Sequence, residues 1–203
     1  MSANFVYLAS GSPRRRQLLQ QIGVPFQVLS VTVDESIADG EEPLAYVSRL
    51  AAAKADAGLA RSAAAGAPQR PVLAADTAVV IGREILGKPM GRDDAVRMLR
   101  LLSGRTHEVL TSIALAADGG TSSCVSRSEV TFRDITCAEA SEYWDSGEPA
   151  DKAGGYAIQG LGAVFVAQLH GSFSGVMGLP LFETAGLLDA AGVQRWTPVS
   201  GAR

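Results

Sequence analysis

The sequence is poor in the residues that build thiolate or imidazole metal centres, disulfides and histidine-based active sites. Among 203 residues there are two cysteines and two histidines. Cys124 and Cys137 lack the spacing of metal ligands, so they are interpreted as packing residues. His107 and His170 are far apart, and neither adjoins a recognisable serine or cysteine nucleophile motif. These absences argue against a triad hydrolase and against a thiolate metal site.

Long apolar runs and strong charge are also missing. No stretch reaches the roughly 18 uninterrupted apolar residues of a membrane span. The N-terminus lacks a basic segment followed by an apolar one, so a cytoplasmic protein is expected. The net charge of -3 and the scattered basic residues give no broad stripe for nucleic acid. We therefore expect neither a membrane nor a nucleic acid as partner, and the sequence leaves the oligomeric state open, a homodimer included.

What is present is enough for a substantial core in an α/β protein. The chain is 47% hydrophobic and 19% charged, and it shows neither a repeat nor a seam between domains. One domain over residues 1–203 is predicted. Apolar runs typical of strands alternate with segments of helical periodicity. Strands are predicted at 5–9, 25–36, 71–80 and 84–86, in a long hairpin turning at 118–120, and after 162; helices are predicted at 13–23, 43–59, 92–102 and 136–146, and from about 180.

Three consecutive arginines lie in the first turn of the first predicted helix. Ser12 is a good N-cap and Pro13 suits the first helical position. The positive end of the helix dipole disfavours cations there unless an anion is close. Backbone N–H groups and guanidinium groups at a helix start form a phosphate site, so Arg14 and Arg15 are interpreted as phosphate ligands. Arg16 is interpreted as pointing into solvent.

Three further charged residues interrupt their local pattern. Asp34 and Glu35 come where the second predicted strand leaves the sheet. Lys54 lies seven residues after Val47, on the apolar side of its helix, where it either extends to solvent or reaches an anion. Asp76 interrupts the apolar run PVLAADTAVV, which is how a strand delivers a carboxylate to the edge of a sheet. A turn or N-cap role for Asp76 is the alternative.

Residues 82–88 read GREILGK and match the first seven positions of a P-loop. Position 89 is Pro rather than the Ser or Thr that would hold Mg²⁺. Residues 84–86 also resemble the return strand of a hairpin that turns at Gly82 and Arg83. The match is therefore interpreted as accidental, although Lys88 can still contact phosphate as a single charge.

A glycine-rich stretch precedes the last predicted strand. Four glycines fall between Gly154 and Gly162, so the backbone there must turn tightly or approach another group closely. Gln159 lies in the middle of this stretch. Together with the charged residues above, Gln159 completes a set that suits a polyphosphate site: cations for the phosphates, acids for a metal or for water, and one amide that can recognise a nucleotide base. The members of this set are Arg14, Arg15, Glu35, Lys54, Asp76, Lys88 and Gln159.

The chain resembles the Maf (septum-formation inhibitor) family of nucleotide pyrophosphatases through six motifs, which come in family order and span nearly the whole chain. They are SGSPRR (10–15), ADT (75–77), EILGKP (84–89), LSGRTHEVLT (102–111), GEPADKAGGYAIQG (147–160) and GLPL (178–181). The resemblance implies a mixed sheet with flanking helices, in an elongated two-lobed fold similar to inosine-triphosphate pyrophosphatases, with a central cleft. It also implies cleavage of a nucleoside triphosphate to the monophosphate and pyrophosphate, assisted by Mg²⁺ or Mn²⁺.

The resemblance also assigns roles to individual residues. It makes Asp76 the proton acceptor and, with Glu35, a metal ligand. Ala150 stands where the family usually has Leu, a change that concerns packing more than chemistry. The combination SGSPRR, ADT and IQG resembles the branch that acts on dTTP and UTP. The phosphate-binding residues would be Ser10, Arg14, Arg15, Lys54 and Lys88, and base choice would depend on Arg14, Thr77 and Gln159.

Three other functions stay open at this point. The same cleft could sense a nucleotide without catalysis, in a protein that controls cell division. A P-loop ATPase built on residues 82–88 would release orthophosphate. The 7-methyl-GTP branch of the same family differs from the dTTP/UTP branch at SGSPRR, ADT and IQG.

Overall fold

A computed structural model describes residues 5–196. Three short 3₁₀ segments, at 148–151, 153–155 and 161–165, surround the glycine-rich stretch. The strands are β1 (Val6–Leu8), β2 (Phe26–Val28), β3 (Val72–Ile81), β4 (Glu84–Leu86), β5 (Thr106–Ala117), β6 (Gly120–Phe132) and β7 (Val166–His170). The helices are α1 (Pro13–Gln21), α2 (Pro43–Ala64), α3 (Arg92–Leu102), α4 (Cys137–Asp145), α5 (Phe173–Val176) and α6 (Leu181–Ala190).

The strands form one mixed sheet, which confirms the predicted α/β class. Its order is β2-β1-β3-β5-β6-β7, and β4 pairs with β3 beside this path. β1 is parallel to both β2 and β3, whereas the β3–β4 and β6–β7 pairs are antiparallel. No helix in the described part of the chain is long and apolar enough to cross a membrane.

The chain divides into two compact units. The first comprises Met1–Asp76, Ser112–Val125 and Gly178–Arg203, and the second comprises Thr77–Thr111 and Ser126–Met177. β3 therefore passes from the first unit to the second between Asp76 and Thr77. The single domain expected from the sequence stays a prediction.

The core of the first unit is built from small side chains, which lets α2 approach the sheet closely. A Cβ placed on Gly58 would lie 2.6 Å from a methyl group of Val72. Buried alanines contribute on both the helix and the strands. The buried members of this core are Phe5, Tyr7, Ala9, Ala51, Ala55, Val72, Ala74, Ala114 and Ala116.

Two predicted boundaries in the first unit are wrong. The predicted strand at 25–36 pairs only over Phe26–Val28, because β2 is an edge strand and its neighbour β1 has three residues. Residues 29–36 leave the sheet despite their alternating pattern. α2 continues to Ala64 rather than 59, since alanines and Arg61 are strong helix formers. Gly66, at φ 61°, ends it.

The second unit follows the predicted pattern more closely. β3 and β4 form the expected antiparallel hairpin around Gly82, which has φ 62°. The next helix, α3, begins only at Arg92, so residues 82–88 do not run into a helix as a P-loop would. Thr136 and Glu139 form the predicted capping box of α4. The segment 171–178, which lies between the last predicted strand and the last predicted helix, contains the one-turn helix α5.

Candidate active site

Two carboxylates of the first unit meet on one ammonium group. Lys54 Nζ lies 2.7 Å from Asp76 Oδ1 and 2.6 Å from Glu35 Oε1. The Lys54 and Asp76 side chains are only 13% and 12% exposed, whereas Glu35 is 54% exposed. An ammonium has three donors, so one N–H of Lys54 has no partner among residues 5–196. This arrangement is an enclosed charge cluster with one side open to solvent.

The local structure explains why these groups converge. β3 is buried along its length, so a carboxylate at Asp76 needs a partner or its desolvation is uncompensated. α2 packs its apolar side on the sheet, and Lys54 lies on that side with Val47 and Ala55. Extension of Lys54 to solvent, the first alternative from the sequence, is therefore wrong. Lys54 reaches inward to the two acids.

Arg15 is fixed at the start of α1 by two acceptors. Its Nε donates to the Gly178 carbonyl at 2.7 Å, and Nη1 donates to Ser10 Oγ at 3.1 Å. Burial lowers the pKa of Arg15, the charge of Asp76 opposes this, and the neighbouring Arg14 lowers the pKa further. The guanidinium thus lies within the electrostatic field of the Asp76 group, and it remains protonated because its ordinary pKa is far above neutrality.

The beginning of α1 differs in detail from the sequence-based expectation. Ser12 is the N-cap residue, but its side chain makes no capping hydrogen bond. Instead the Ser12 N–H donates to Ser10 Oγ at 3.2 Å. Arg14 and Arg16 are both half-buried, and the Arg16 side chain has neither a hydrogen bond nor an ion pair within residues 5–196. Arg16 is thus not fully solvent-exposed as the sequence suggested, although it differs from Arg15 in having no side-chain partner, and the phosphate-binding role of Arg14 and Arg15 stays a prediction.

The sequence did not identify the residues that hold the loop between β2 and α2, which carries Glu35. The Tyr46 hydroxyl donates to the Glu35 carbonyl at 3.1 Å, and Arg49 Nη2 donates to the Ser36 carbonyl at 2.9 Å. Arg49 also pairs with Glu41 through two bonds of 2.7 Å. Burial, followed by the charges of Asp76 and Glu35, raises the pKa of Tyr46. The only sequence signal was two polar side chains three residues apart on α2.

The other three predicted site residues belong to the second unit. Lys88 is exposed, and its ammonium has no hydrogen bond or ion pair with any residue the structure describes. The Thr111 hydroxyl donates to the Gly175 carbonyl at 2.8 Å, so the proton in the 2.9 Å contact between the Thr77 and Thr111 hydroxyls comes from Thr77. Gln159 is exposed on a turn. Its amide has no hydrogen-bond partner in the described part of the chain.

The donor set of the first unit fits a hard divalent cation. No group of three or more His, Cys, Asp or Glu side chains with metal-binding geometry occurs among residues 5–196. Mg²⁺, however, is commonly bound by one or two carboxylates together with substrate phosphates. Asp76 and Glu35 supply two such carboxylates around a single cationic centre. These two residues could therefore hold Mg²⁺ or Mn²⁺ when phosphates provide the remaining oxygens.

The family follows from comparison with known proteins. The model of the Maf-like protein family matches residues 5–191. The chain belongs to this family, which confirms the resemblance seen in the six motifs.

Particular relatives carry a common name, dTTP/UTP pyrophosphatase. The protein of that name from Saccharophagus degradans is 56% identical over 191 residues, or 94% of this chain and 90% of that protein. The corresponding proteins from Alkalilimnicola ehrlichii and Pseudoalteromonas atlantica are 54% and 52% identical, covering 91% and 90% of this chain and 91% and 94% of their own lengths. The structure of the Staphylococcus aureus Ham1 protein aligns at 13% identity with a TM-score of 0.41, over 65% of this chain and 72% of that one.

Proposed function

We propose that this protein hydrolyses dTTP and UTP to the nucleoside monophosphate and pyrophosphate by metal-assisted attack of water. The observation that carries the proposal is the pair of carboxylates, Asp76 and Glu35, held on Lys54. The names of relatives at 52–56% identity support it. A site that only sensed a nucleotide would need cations, but it would have little use for two acids beside them.

The cations of the first unit would bind the triphosphate. Arg15 is already oriented by Gly178 and Ser10, so little side-chain entropy remains to be lost when it contacts a phosphate. Arg14 would add a second guanidinium. The unused N–H of Lys54 would donate to a phosphate oxygen while its other two bonds keep the acids in place.

Ser10 would act beside Arg15. Its oxygen accepts from the Ser12 N–H and from Arg15 Nη1. Its own O–H proton has no acceptor within residues 5–196, and it can donate to a phosphate oxygen. Ser10 thus would orient Arg15 and contact the substrate.

Asp76 would be the proton acceptor for the attacking water. Its carboxylate is nearly buried and is held by one strong ion pair, so its position is fixed before substrate binds. A divalent cation held by Asp76 and Glu35 would neutralise charge on the phosphates and on the departing pyrophosphate. Lys88, an exposed single charge of the second unit, would contribute a further phosphate contact.

Base preference would depend on Gln159, Thr77 and Arg14. A uracil or thymine ring offers O4 as acceptor and N3–H as donor, and one amide can satisfy both. Cytosine presents the reverse pattern. Leaving the hydrogen-bonding groups of the bound base and the amide unmatched is worth roughly 1–3 kcal/mol when the amide is held in one orientation.

We expect Gln159→Glu to lower the preference for dTTP and UTP over CTP by about tenfold, because a carboxylate cannot donate to O4. The measurement is kcat/KM for dTTP, UTP and CTP. Gln168→Glu is the matched control, since Gln168 is an exposed glutamine of the same unit. An unchanged ratio in the Gln159 variant would remove this residue from base recognition.

The cytoplasmic location, the lack of a nucleic-acid partner and the homodimer stay predictions from the sequence. The identity of the metal as Mg²⁺ or Mn²⁺ also stays a prediction, and a titration of activity with each ion tests it.

A further inference from the structure

Glu148, in the second unit, accepts three hydrogen bonds that converge on one carboxylate. The Tyr143 hydroxyl donates to Oε1 at 2.6 Å, the Gly162 N–H donates to Oε1 at 3.0 Å, and the Leu161 N–H donates to Oε2 at 3.0 Å. Burial alone would raise the pKa of Glu148, but the hydrogen bonds from Tyr143, Gly162 and Leu161 outweigh it and lower the pKa. The carboxylate is therefore held ionised at the centre of this network.

Tyr143 extends the network to Ala157, at the other end of the segment that contains Leu161 and Gly162. Its oxygen accepts from the Ala157 N–H at 3.1 Å while its proton goes to Glu148. Burial and the bond to the Glu148 carboxylate raise the pKa of Tyr143, so the hydroxyl stays protonated. Both ends of the segment from Ala157 to Gly162 are thus fixed by one acid and one phenol.

Gln159 projects from the middle of this fixed segment. Ala157 and Gly160 close a turn by a backbone bond of 3.2 Å, and Ile158 is buried at 6% exposure. No residue in the described part of the chain bonds to the Gln159 amide. The point from which the Gln159 side chain extends is therefore set by the backbone of this segment, which Glu148 and Tyr143 hold through the N–H groups of Ala157, Leu161 and Gly162.

The glycines of the segment are required by the same network. A Cβ on Gly160 would lie 2.0 Å from Glu148 Oε2, and a Cβ on Gly162 would lie 2.6 Å from the Tyr143 hydroxyl oxygen. Real Cβ atoms do not approach other atoms so closely. The sequence predicted that the backbone at the four glycines approaches another group closely. At Gly160 that group is the Glu148 carboxylate, and at Gly162 it is the Tyr143 hydroxyl.

We infer that Glu148 and Tyr143 are positioning residues for base recognition, which act on the substrate through the turn that carries Gln159. The inference rests on the proposed function. It extends the determinants of base choice beyond Arg14, Thr77 and Gln159 to two side chains that orient one of them.

The first test uses two variants that disturb the network differently. Glu148→Gln replaces one accepting oxygen by an NH₂ group that opposes a donor. Gly160→Ala keeps the acid and displaces it, and Gly160 has φ -117°, which any residue adopts. Both should lower the kcat/KM ratio of dTTP to CTP by about tenfold, mainly through KM for dTTP, with kcat within about threefold of wild type.

The matched control is Glu139→Gln. Glu139 is an acid of the same unit whose carboxylate accepts bonds from Thr136 and Arg133 at the start of α4, and it makes no hydrogen bond to residues 157–162 among the contacts the structure describes. This control should lose stability without a change in the dTTP to CTP ratio. Thermal unfolding of each variant separates loss of fold from loss of preference, and Tyr143→Phe replaces Glu148→Gln if the latter does not fold.

The second test asks whether the effect passes through Gln159. In a Gln159→Ala background, Glu148→Gln should change the dTTP to CTP ratio by less than about twofold. An equal effect in both backgrounds, or a normal ratio in Glu148→Gln and Gly160→Ala, overturns the inference. If wild-type protein shows no dTTP hydrolysis, the proposed function itself fails, and that result is distinguishable because it precedes any variant.

Discussion

Asp76→Asn is expected to lower kcat by about 10²–10⁴-fold while nucleotide binding stays largely intact, because a positioned base contributes a factor of this size. Asn keeps the shape of the side chain but loses the negative charge and the proton affinity. Lys54 would still be paired with Glu35 at 2.6 Å, so the ammonium is not left without a partner. Steady-state kinetics with dTTP, together with nucleotide binding by calorimetry, measures the two effects separately.

Asp56→Asn is the matched control for this variant. Asp56 is an exposed acid on α2, two residues from Lys54, and it bonds only to Thr121 among the contacts the structure describes. Its activity should stay near the wild-type value. If Asp76→Asn retained more than about a tenth of wild-type turnover, the role of Asp76 as proton acceptor would be wrong.

Arg15→Ala should lower kcat/KM by about 10²–10³-fold, with KM raised and kcat lowered together. Charge on the phosphates builds as pyrophosphate departs, so a cation that contacts them acts on binding and on the transition state. Lys88→Ala should act in the same direction. Its effect should be smaller, because Lys88 is an exposed single charge, whereas the planar guanidinium of Arg15 is already oriented by its hydrogen bonds.

Arg16→Ala provides the comparison for Arg15. Both residues lie in the first turn of α1, but only Arg15 bonds to Gly178 and Ser10. Arg16→Ala should be close to neutral. Thermal unfolding must accompany the kinetics, because Arg15→Ala also removes packing. A larger loss from Arg16→Ala than from Arg15→Ala would contradict the site described here.

Local signals gave correct predictions where a structure is determined by neighbouring residues. The bounds of α3, the hairpin at Gly82 and the capping box of Thr136 and Glu139 depend on residues a few positions apart. Residues 29–36 were mistaken for strand because their pattern is local, whereas the pairing that would make them a strand depends on the short neighbour β1. Alternation indicates a strand only where a partner is present.

In the candidate site, too, features that depend on neighbouring residues could be predicted, and features that depend on distant partners could not. Arg15 and Asp76 were predicted as site residues because each contradicts its local context, one at a positive helix end and one within a buried strand. The inward direction of Lys54 could not be chosen from the sequence, because its partner Asp76 is 22 positions away. Glu148 was missed for this reason too, since the N–H groups of Leu161 and Gly162 come from 13 and 14 positions further along the chain.

The measurement that tests the account most directly is the identity of the phosphorus product. Purified protein is incubated with dTTP or UTP and Mg²⁺ or Mn²⁺, and pyrophosphate, orthophosphate and the nucleotide product are quantified. We expect one pyrophosphate per monophosphate formed, and faster turnover of dTTP and UTP than of CTP or the purine triphosphates. Orthophosphate with a nucleoside diphosphate, no turnover at all, or faster hydrolysis of 7-methyl-GTP than of dTTP would contradict it.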